Sequence, residues 1–171
     1  MLSSSWSRSL FSPILSRCVG FTKKSKLNYN FAPAHSLILL SLSNKTPGED
    51  AFRIKGYVKA LLAGLEGNET TRKVIATCKH YAAYDLERWN GIRRHEFDAI
   101  VSSQDLSEYY LPPFQQCARD SNVGSIMCSY NSLNGTPACA STYLMTDILR
   151  GHWGWTADHN YVVSDCNAVQ V

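Results

Sequence analysis

The chain has 171 residues, of which 44% are hydrophobic and 18% are charged, a balance typical of one globular domain. Its net charge is only +3, and no basic patch with interleaved aromatic residues indicates a nucleic-acid partner. No stretch reaches the roughly 18 apolar residues of a membrane span. The six cysteines form no CxxC pair, so no structural metal site is predicted. We therefore expect no metal, no cofactor, no nucleic acid and no membrane as partners.

Residues 1–45 differ in composition from the rest of the chain, because they are rich in serine, lack Asp and Glu, and carry scattered Arg and Lys. An organelle transit peptide shares this composition, and a secretory signal is a second interpretation, although its apolar block would be short. A mispredicted segment, such as translated intron, is a third. The folded domain is predicted to occupy residues 46–171.

Helices and strands are predicted to alternate from residue 46 onward. A first helix follows Asp50, which could cap it, and its apolar stripe is predicted at Phe52, Tyr57, Val58, Leu61 and Leu62. A second helix begins near Ser103, with Ser102 and Asp105 in the capping pattern. The other predicted elements are a strand over 73–81, a polar and aromatic loop over 82–96, a strand over 123–130, a helix over 141–153 and a strand over 161–165. This alternation predicts an α/β fold with a parallel sheet.

Each predicted strand ends in polar side chains. The carboxyl ends of the strands in such a fold meet at one mouth, where active sites lie, so Lys79, His80, Tyr130 and Asp165 are expected to share one site. An ionised carboxylate there can attack an anomeric carbon, and Lys79 would favour the charged form or hold a sugar hydroxyl. The simpler interpretation, that polar residues only mark the start of loops, stays open for each strand taken alone.

The loop after the first strand carries further candidate binding residues. Trp89 could serve as a sugar platform, and Glu87 is one of several polar groups that could line a pocket. Trp153 and Trp155, which follow a helix, are interpreted as packing residues instead. Cys128 and Cys139 bracket a short polar loop, and a disulfide between them is plausible in a secreted protein.

Five blocks of the sequence together resemble glycoside hydrolase family 3, and in particular its fungal and plant β-xylosidase group. The blocks are TPGED (46–50), ATCKHYAAYDLE (76–87), QDLSEYYLPPF (104–114), IMCSYNSLNGTPACA (126–140) and YVVSDCNAV (161–169). The resemblance implies part of a (β/α)8 TIM-type barrel, in which residues 46–171 are a partial N-terminal domain.

The resemblance also implies roles for individual residues. Asp165 matches the catalytic nucleophile, Lys79 and His80 match a substrate-binding pair, and Tyr130 matches a tyrosine that lies against the nucleophile. Cys166 follows the nucleophile, as in the xylosidase group, where β-glucosidases of the family usually have Trp. Two departures concern the pocket: the stretch 40–45 lacks the arginine that the family carries there, and an upstream sugar-gripping Asp has no counterpart.

The implied function is that of a retaining exo-β-glycosidase, which hydrolyses terminal β-xylosyl residues of xylan-derived oligosaccharides and is normally secreted. Its acid/base Glu is expected in a C-terminal domain that this chain lacks. A β-glucoside and an α-arabinofuranoside are alternative substrates. A non-catalytic sugar-binding or vestigial module, and a product without a function of its own, are the other hypotheses.

Overall fold

The computed structural model describes residues 20–22, 48–67, 72 and 74–169. The three interpretations of residues 1–45, and the departure at 40–45, therefore fall largely outside the described residues. The strands are β1 (Gly20–Thr22), β2 (Ile75–Tyr81), β3 (Arg88–Trp89), β4 (Ile92–Arg93), β5 (Asp98–Ala99), β6 (Ser125–Cys128), β7 (Ser132–Leu133), β8 (Thr136–Pro137) and β9 (Tyr161–Ser164). The helices are α1 (Ala51–Glu66); α2, which runs through Ser103–Asp105, Leu106–Tyr110, Leu111–Gln115 and Gln116–Asp120 with alternating α and π turns; a 3-10 turn (Ala138–Ala140); and α3 (Tyr143–His152), which has π geometry.

The main sheet has the order β1-β2-β6-β9. Strands β2 and β6 are parallel, as are β6 and β9, while β1 lies antiparallel to β2. Helix α2 connects β2 to β6, and α3 connects β6 to β9. The predicted α/β class and parallel sheet are confirmed. The smaller strands β3 to β5 and β7 to β8 lie in the loops that follow β2 and β6.

Helix α1 begins and ends where the sequence predicts, but it buries a different face. The Asp50 carboxylate accepts a hydrogen bond from the Arg53 amide at 2.7 Å, which caps the first turn. The buried apolar residues are Ile54, Val58 and Leu62, which are spaced by four and so share one face. The prediction was wrong for Phe52 and Tyr57, which are exposed by 86% and 46%. An apolar residue count alone could not show which side of the helix meets the sheet.

Helix α2 starts as the capping pattern predicts. The Ser102 hydroxyl accepts a hydrogen bond from the Asp105 amide at 3.0 Å, so one free amide of the first turn is satisfied. The helix then packs against α1 and buries Leu106, Leu111, Phe114 and Cys117. These residues form part of the hydrophobic core together with the buried face of α1.

Trp153 and Trp155 lie in the core, as predicted, with exposures of 6% and 1%. The indole Nε1 of Trp155 donates to the Val123 carbonyl at 2.6 Å, so its polar atom is satisfied on burial. Tyr81 is buried beside Trp153, with ring centroids 6.0 Å apart, and its hydroxyl donates to the Leu144 carbonyl at 3.1 Å. The first bond joins Trp155 to the residue that lies two positions before β6. The second joins the end of β2 to helix α3.

Two disulfides join the sheet to its surroundings. The predicted bond between Cys128 and Cys139 is present and links β6 to the 3-10 turn. A second bond, between Cys78 and Cys117, links β2 to α2 and was not expected, because 39 residues separate the two cysteines in the sequence. Within the ranges described above, no helix combines the length and apolar character that crossing a bilayer requires.

Candidate active site

The three parallel strands deliver the candidate residues to one edge of the sheet. In the register of the sheet, Tyr81 lies opposite Cys128 and Cys128 lies opposite Ser164. Residues within two positions of this row, namely His80, Tyr130 and Asp165, therefore meet at the carboxyl edge. This is the side on which active sites of barrels and open α/β sheets are built.

The carboxylate of Asp165 is held by hydrogen bonds on both oxygens. Its Oδ2 lies 2.8 Å from Nε2 of His80, and the two side chains are only 12% and 4% exposed. Its Oδ1 accepts a hydrogen bond from the Cys166 amide at 2.7 Å. The carboxylate is therefore fixed in orientation at the end of β9 while part of its surface stays open to solvent.

Tyr130 is the third group of this arrangement. Its phenol is hydrogen-bonded to Asp165. Burial, followed by this hydrogen bond, raises the pKa of Tyr130 to about 12, so the hydroxyl stays protonated near neutral pH. Tyr130 can therefore act as a donor to the carboxylate or to a sugar oxygen beside it.

Aromatic rings contact the two partners of the carboxylate, His80 and Tyr130. Tyr84 meets His80 edge-on, with centroids 5.1 Å apart, and meets Tyr130 at 5.6 Å. The His95 ring lies 4.6 Å from the Tyr130 ring. Such rings offer apolar faces of the kind against which sugars pack, and they also restrict the rotation of Tyr130 and His80.

The loop after β2 adds a charged cluster. The Arg94 guanidinium carbon lies 4.2 Å from the centroid of the Tyr130 ring, and Nη1 of Arg94 lies 3.2 Å from Oε1 of Glu87. The other oxygen of Glu87 accepts a hydrogen bond from the Tyr84 hydroxyl. The charge cluster thus connects the loop to the phenol that contacts Asp165.

Buried polar side chains brace the backbone behind the site. The Asn131 amide donates to the carbonyls of Ala82 and Ala83, each at 3.2 Å, and the Ser129 hydroxyl donates to Ala82 at 3.2 Å. Ala83 has a positive φ of 55°. The loop after β6 therefore holds the turn after β2 in this unusual backbone conformation.

The structure brings together three of the six residues that the sequence singled out: His80, Tyr130 and Asp165. Glu87 does not contact these three residues directly but is bonded to Tyr84 and Arg94, which contact Tyr130. Lys79 is partly buried, and its side chain makes no hydrogen bond or ion pair with the described residues. Trp89 lies on the β3-β4 hairpin, is 57% exposed, and has no aromatic partner within the described ranges. The roles of all six residues stay predictions.

Sequence reasoning missed Tyr84, Arg94 and His95. The available signal was the polar and aromatic composition of the loop over 82–96. It could not single out these residues, because the loop contains three arginines, at 88, 93 and 94, and only the fold decides which of them turns toward Tyr130. No group of three or more potential metal ligands occurs among the described residues.

Comparison with known proteins gives the family and the fold of the chain. Residues 24–171 match the glycosyl hydrolase family 3 N-terminal domain. This match starts within residues 1–45, the segment that differs in composition from the rest of the chain. The domain boundary at residue 46 stays a prediction. The chain is 57% identical over 127 residues to an exo-1,4-beta-xylosidase of Emericella nidulans, a match that covers 74% of this chain and 17% of that protein. A probable exo-1,4-beta-xylosidase of Aspergillus fumigatus is 56% identical over 127 residues, with 73% and 16% covered.

Two solved structures extend the comparison. A family 3 exo-beta-xylosidase in complex with a xylobiose aziridine activity-based probe superimposes with a TM-score of 0.70 at 45% identity, over 72% of this chain and 16% of that one. A family 3 beta-glucosidase of Bifidobacterium adolescentis gives a TM-score of 0.65 at 29% identity, over 74% and 17%. The chain thus spans about 17% of the length of the curated relatives it matches. Its parallel sheet and helices are part of a TIM-barrel-like α/β fold, as predicted, and the chain belongs to glycosyl hydrolase family 3 through its N-terminal domain.

Proposed function

We propose that this chain carries the nucleophile half of a retaining exo-β-xylosidase, with Asp165 as the nucleophile. The observation that supports the proposal most directly is the contact of Asp165 with His80 at 2.8 Å and with Tyr130 at the carboxyl edge of a family 3 sheet. An oriented, partly exposed carboxylate is the group that can attack an anomeric carbon.

The proposed reaction has two displacements. A carboxylate oxygen of Asp165 forms a bond to the anomeric carbon while the bond to the leaving oxygen breaks and that oxygen receives a proton. Water then attacks the same carbon, the ester to Asp165 breaks, and a base takes the proton from water, so the configuration is retained. The proton donor and base is a second carboxyl group, about 5–5.5 Å from the first in retaining enzymes. We assign it to a part of the whole protein outside the matched residues 24–171.

The neighbouring side chains have separate proposed tasks. His80 and Tyr130 orient Asp165 and donate to the sugar oxygen beside it. The Lys79 side chain has no hydrogen bond or ion pair within the described residues, and its ammonium group is proposed to bind a sugar hydroxyl. Glu87, which contacts Tyr84 and Arg94, is proposed to bind sugar at the edge of the site. Trp89, exposed on its hairpin, is proposed as a platform for a sugar unit farther from the cleaved bond.

A terminal xylosyl residue of an oligosaccharide is the proposed substrate. Two relatives at 57% and 56% identity bear exo-1,4-beta-xylosidase names, whereas the beta-glucosidase structure is 29% identical. Cys166 is a small, exposed side chain directly after Asp165, which is consistent with a pocket for a pentose. β-Glucoside and α-arabinofuranoside hydrolysis, and sugar binding without turnover, are the competing outcomes.

We also propose that the protein is secreted. Two disulfides lie within the described residues, one of them fully buried beside the site, and such bonds form and persist in oxidising compartments.

A chimera tests the proposed activity. The matching 127 residues of the Emericella nidulans relative are replaced by those of this chain, and the hydrolysis of 4-nitrophenyl β-xyloside, β-glucoside and α-arabinofuranoside is measured. We expect the xyloside to be the best substrate. Asp165→Asn should lower kcat by about 10³-fold or more, as loss of a catalytic residue does, while Asp158→Asn, at an exposed carboxylate in the turn before β9, should have no effect.

The site of attack can be read directly with 2,4-dinitrophenyl 2-deoxy-2-fluoro-β-xyloside, whose leaving group needs no acid. Mass analysis of the trapped ester should place the sugar on the peptide that contains Asp165. A folded chimera that binds xylose without turnover would support the binding-module hypothesis instead. A label on another carboxylate would remove Asp165 from the mechanism.

A further inference from the structure

We infer that Arg94 is a positioning residue that holds Tyr130 against Asp165, and that it does so as the link between the loop after β2 and the loop after β6. The inference rests on the proposed function for its consequence in catalysis. The positioning of Tyr130 itself is argued from the contacts that Arg94 makes.

The first observation is the contact between Arg94 and Tyr130. The guanidinium carbon lies 4.2 Å from the centroid of the phenol ring, within the range in which a cation is attracted to an aromatic face. His95, the next residue, meets the same ring at 4.6 Å. Two consecutive side chains of one loop therefore enclose the ring whose hydroxyl contacts the carboxylate.

The second observation is that Arg94 is itself anchored. Its Nη1 lies 3.2 Å from Oε1 of Glu87, its side chain hydrogen-bonds the Tyr84 hydroxyl, and its backbone amide donates to the Glu87 carbonyl at 3.0 Å. The hydrogen bond to Tyr84 raises the pKa of Arg94, so the group keeps its charge. The Arg94 and Glu87 side chains are 37% and 63% exposed, so the restraint on the guanidinium comes from its several partners together and not from burial.

The third observation concerns the charge of Arg94. Burial and the Asp165 contact raise the pKa of Tyr130, and the positive charge of Arg94 opposes them. A nearby cation stabilises the partial negative charge on a phenol oxygen that donates its proton in a hydrogen bond. Arg94 therefore both restricts the rotation of Tyr130 and strengthens its bond to Asp165.

The consequence is a specific defect when Arg94 is lost. Tyr130 would gain freedom to rotate away, and Asp165 would then keep only His80 and the Cys166 amide as fixed partners. Misplacement of a reacting group by about 1 Å can cost about 10²-fold in rate. The loss should appear mainly in kcat, because Lys79 and His80, the other proposed sugar contacts at the strand ends, remain in place.

A double-mutant cycle in the chimera tests this mechanism. Arg94→Gln is expected to lower kcat about 10²-fold, and Arg94→Lys should recover part of the loss, because it restores the charge without the planar group. Arg93→Gln is the matched control, since Arg93 is the exposed neighbour in β4, and it should leave kcat unchanged. In a Tyr130→Phe background, Arg94→Gln should cost less than about 3-fold more, because coupled residues are not additive. Multiplying effects, or equal rates for the two Gln variants, would overturn the inference.

A second measurement needs no sugar and uses the chain of 171 residues. With ¹³C-labelled tyrosine, the Cζ resonance of Tyr130 is assigned from its absence in Tyr130→Phe. Asp165→Asn should shift this resonance in the otherwise unchanged chain and in Arg93→Gln, but not in Arg94→Gln. If the response persists without Arg94, the inference is wrong. If the chimera hydrolyses no glycoside while the NMR response depends on Arg94, the proposed function fails and the positioning role stands.

Discussion

Glu66 shows at the scale of a single residue how a buried charge can hold a sheet. The side chain comes from the last turn of α1 and is 5% exposed. Its Oε1 accepts hydrogen bonds from the amides of Ala76 at 2.9 Å and Gly124 at 3.2 Å, and its Oε2 lies 3.4 Å from Nε of Arg72. The carboxylate thus joins β2 to the residue before β6 and has partners for both oxygens, as a buried charge requires.

Gly124 should not tolerate a side chain at this point. A Cβ atom there would lie 2.5 Å from Nη1 of Arg72 and 2.8 Å from Cγ2 of Ile75. We expect Gly124→Ala to lower the free energy of unfolding by about 1–3 kcal/mol, the usual cost of overpacking, in urea titrations followed by circular dichroism. The control is Gly64→Ala, in helix α1, where a Cβ meets nothing within 4 Å and the change should stabilise by up to about 1 kcal/mol. Equal stability for the two variants would show that Arg72 and Ile75 move aside freely.

At the scale of elements, the two disulfides tie the strands of the site to their neighbours. Cys78 directly precedes Lys79 and His80 in β2 and is bonded to Cys117 in α2. Cys128 ends β6, two residues before Tyr130, and is bonded to Cys139. The covalent links therefore lie next to two of the three residues that meet at the carboxyl edge.

The bond that closes the longer loop should contribute more stability. The loops span 39 and 11 residues, and loop-closure entropy gives about 4 and about 3 kcal/mol for them. We expect Cys78→Ala with Cys117→Ala to lower the urea midpoint more than Cys128→Ala with Cys139→Ala, in a Cys166→Ser background that removes the exposed free thiol. The opposite order would mean that local packing around Cys139 outweighs chain entropy.

At the scale of the whole molecule, five tyrosines have the same kind of pKa shift. Burial is the largest cause in each case, and it raises the pKa values above the usual 10.0 for Tyr81, Tyr84, Tyr109, Tyr110 and Tyr130. For Tyr84, Tyr110 and Tyr130, a hydrogen bond to a carboxylate adds to the effect. The folded chain therefore holds these phenols protonated at a pH where the unfolded chain ionises them.

The chain should consequently lose stability on the alkaline side. Stability from these tyrosines is complete below the unfolded pKa of 10.0 and falls as pH rises toward the folded value, about 12 for Tyr130. Each tyrosine that ionises only on unfolding contributes a slope of about 1.4 kcal/mol per pH unit. Urea unfolding of the Cys166→Ser chain at rising pH measures the slope of the free energy of unfolding against pH. Tyr81→Phe should reduce this slope. The control Tyr57→Phe, at an exposed position, should leave it unchanged. A flat profile above pH 10 would contradict the expectation.

The sequence by itself determined the local features of this protein. Hydrophobic periodicity, the Asp50 and Ser102 caps, and the alternation of helix and strand depend on neighbouring residues, so they predicted the α/β class and most element boundaries. The polar ends of the strands, together with the blocks that resemble glycoside hydrolase family 3, predicted Lys79, His80, Tyr130 and Asp165 as site residues, and their roles stay predictions.

Only the tertiary structure decided the long-range features. It selected the Ile54, Val58 and Leu62 face of α1, paired Cys78 with Cys117, and turned Arg94 rather than Arg93 toward Tyr130. The physical reason is the same for each. Which face a helix buries, which cysteine meets which, and where a loop side chain points all depend on contacts with residues far along the chain, and no local pattern carries that information.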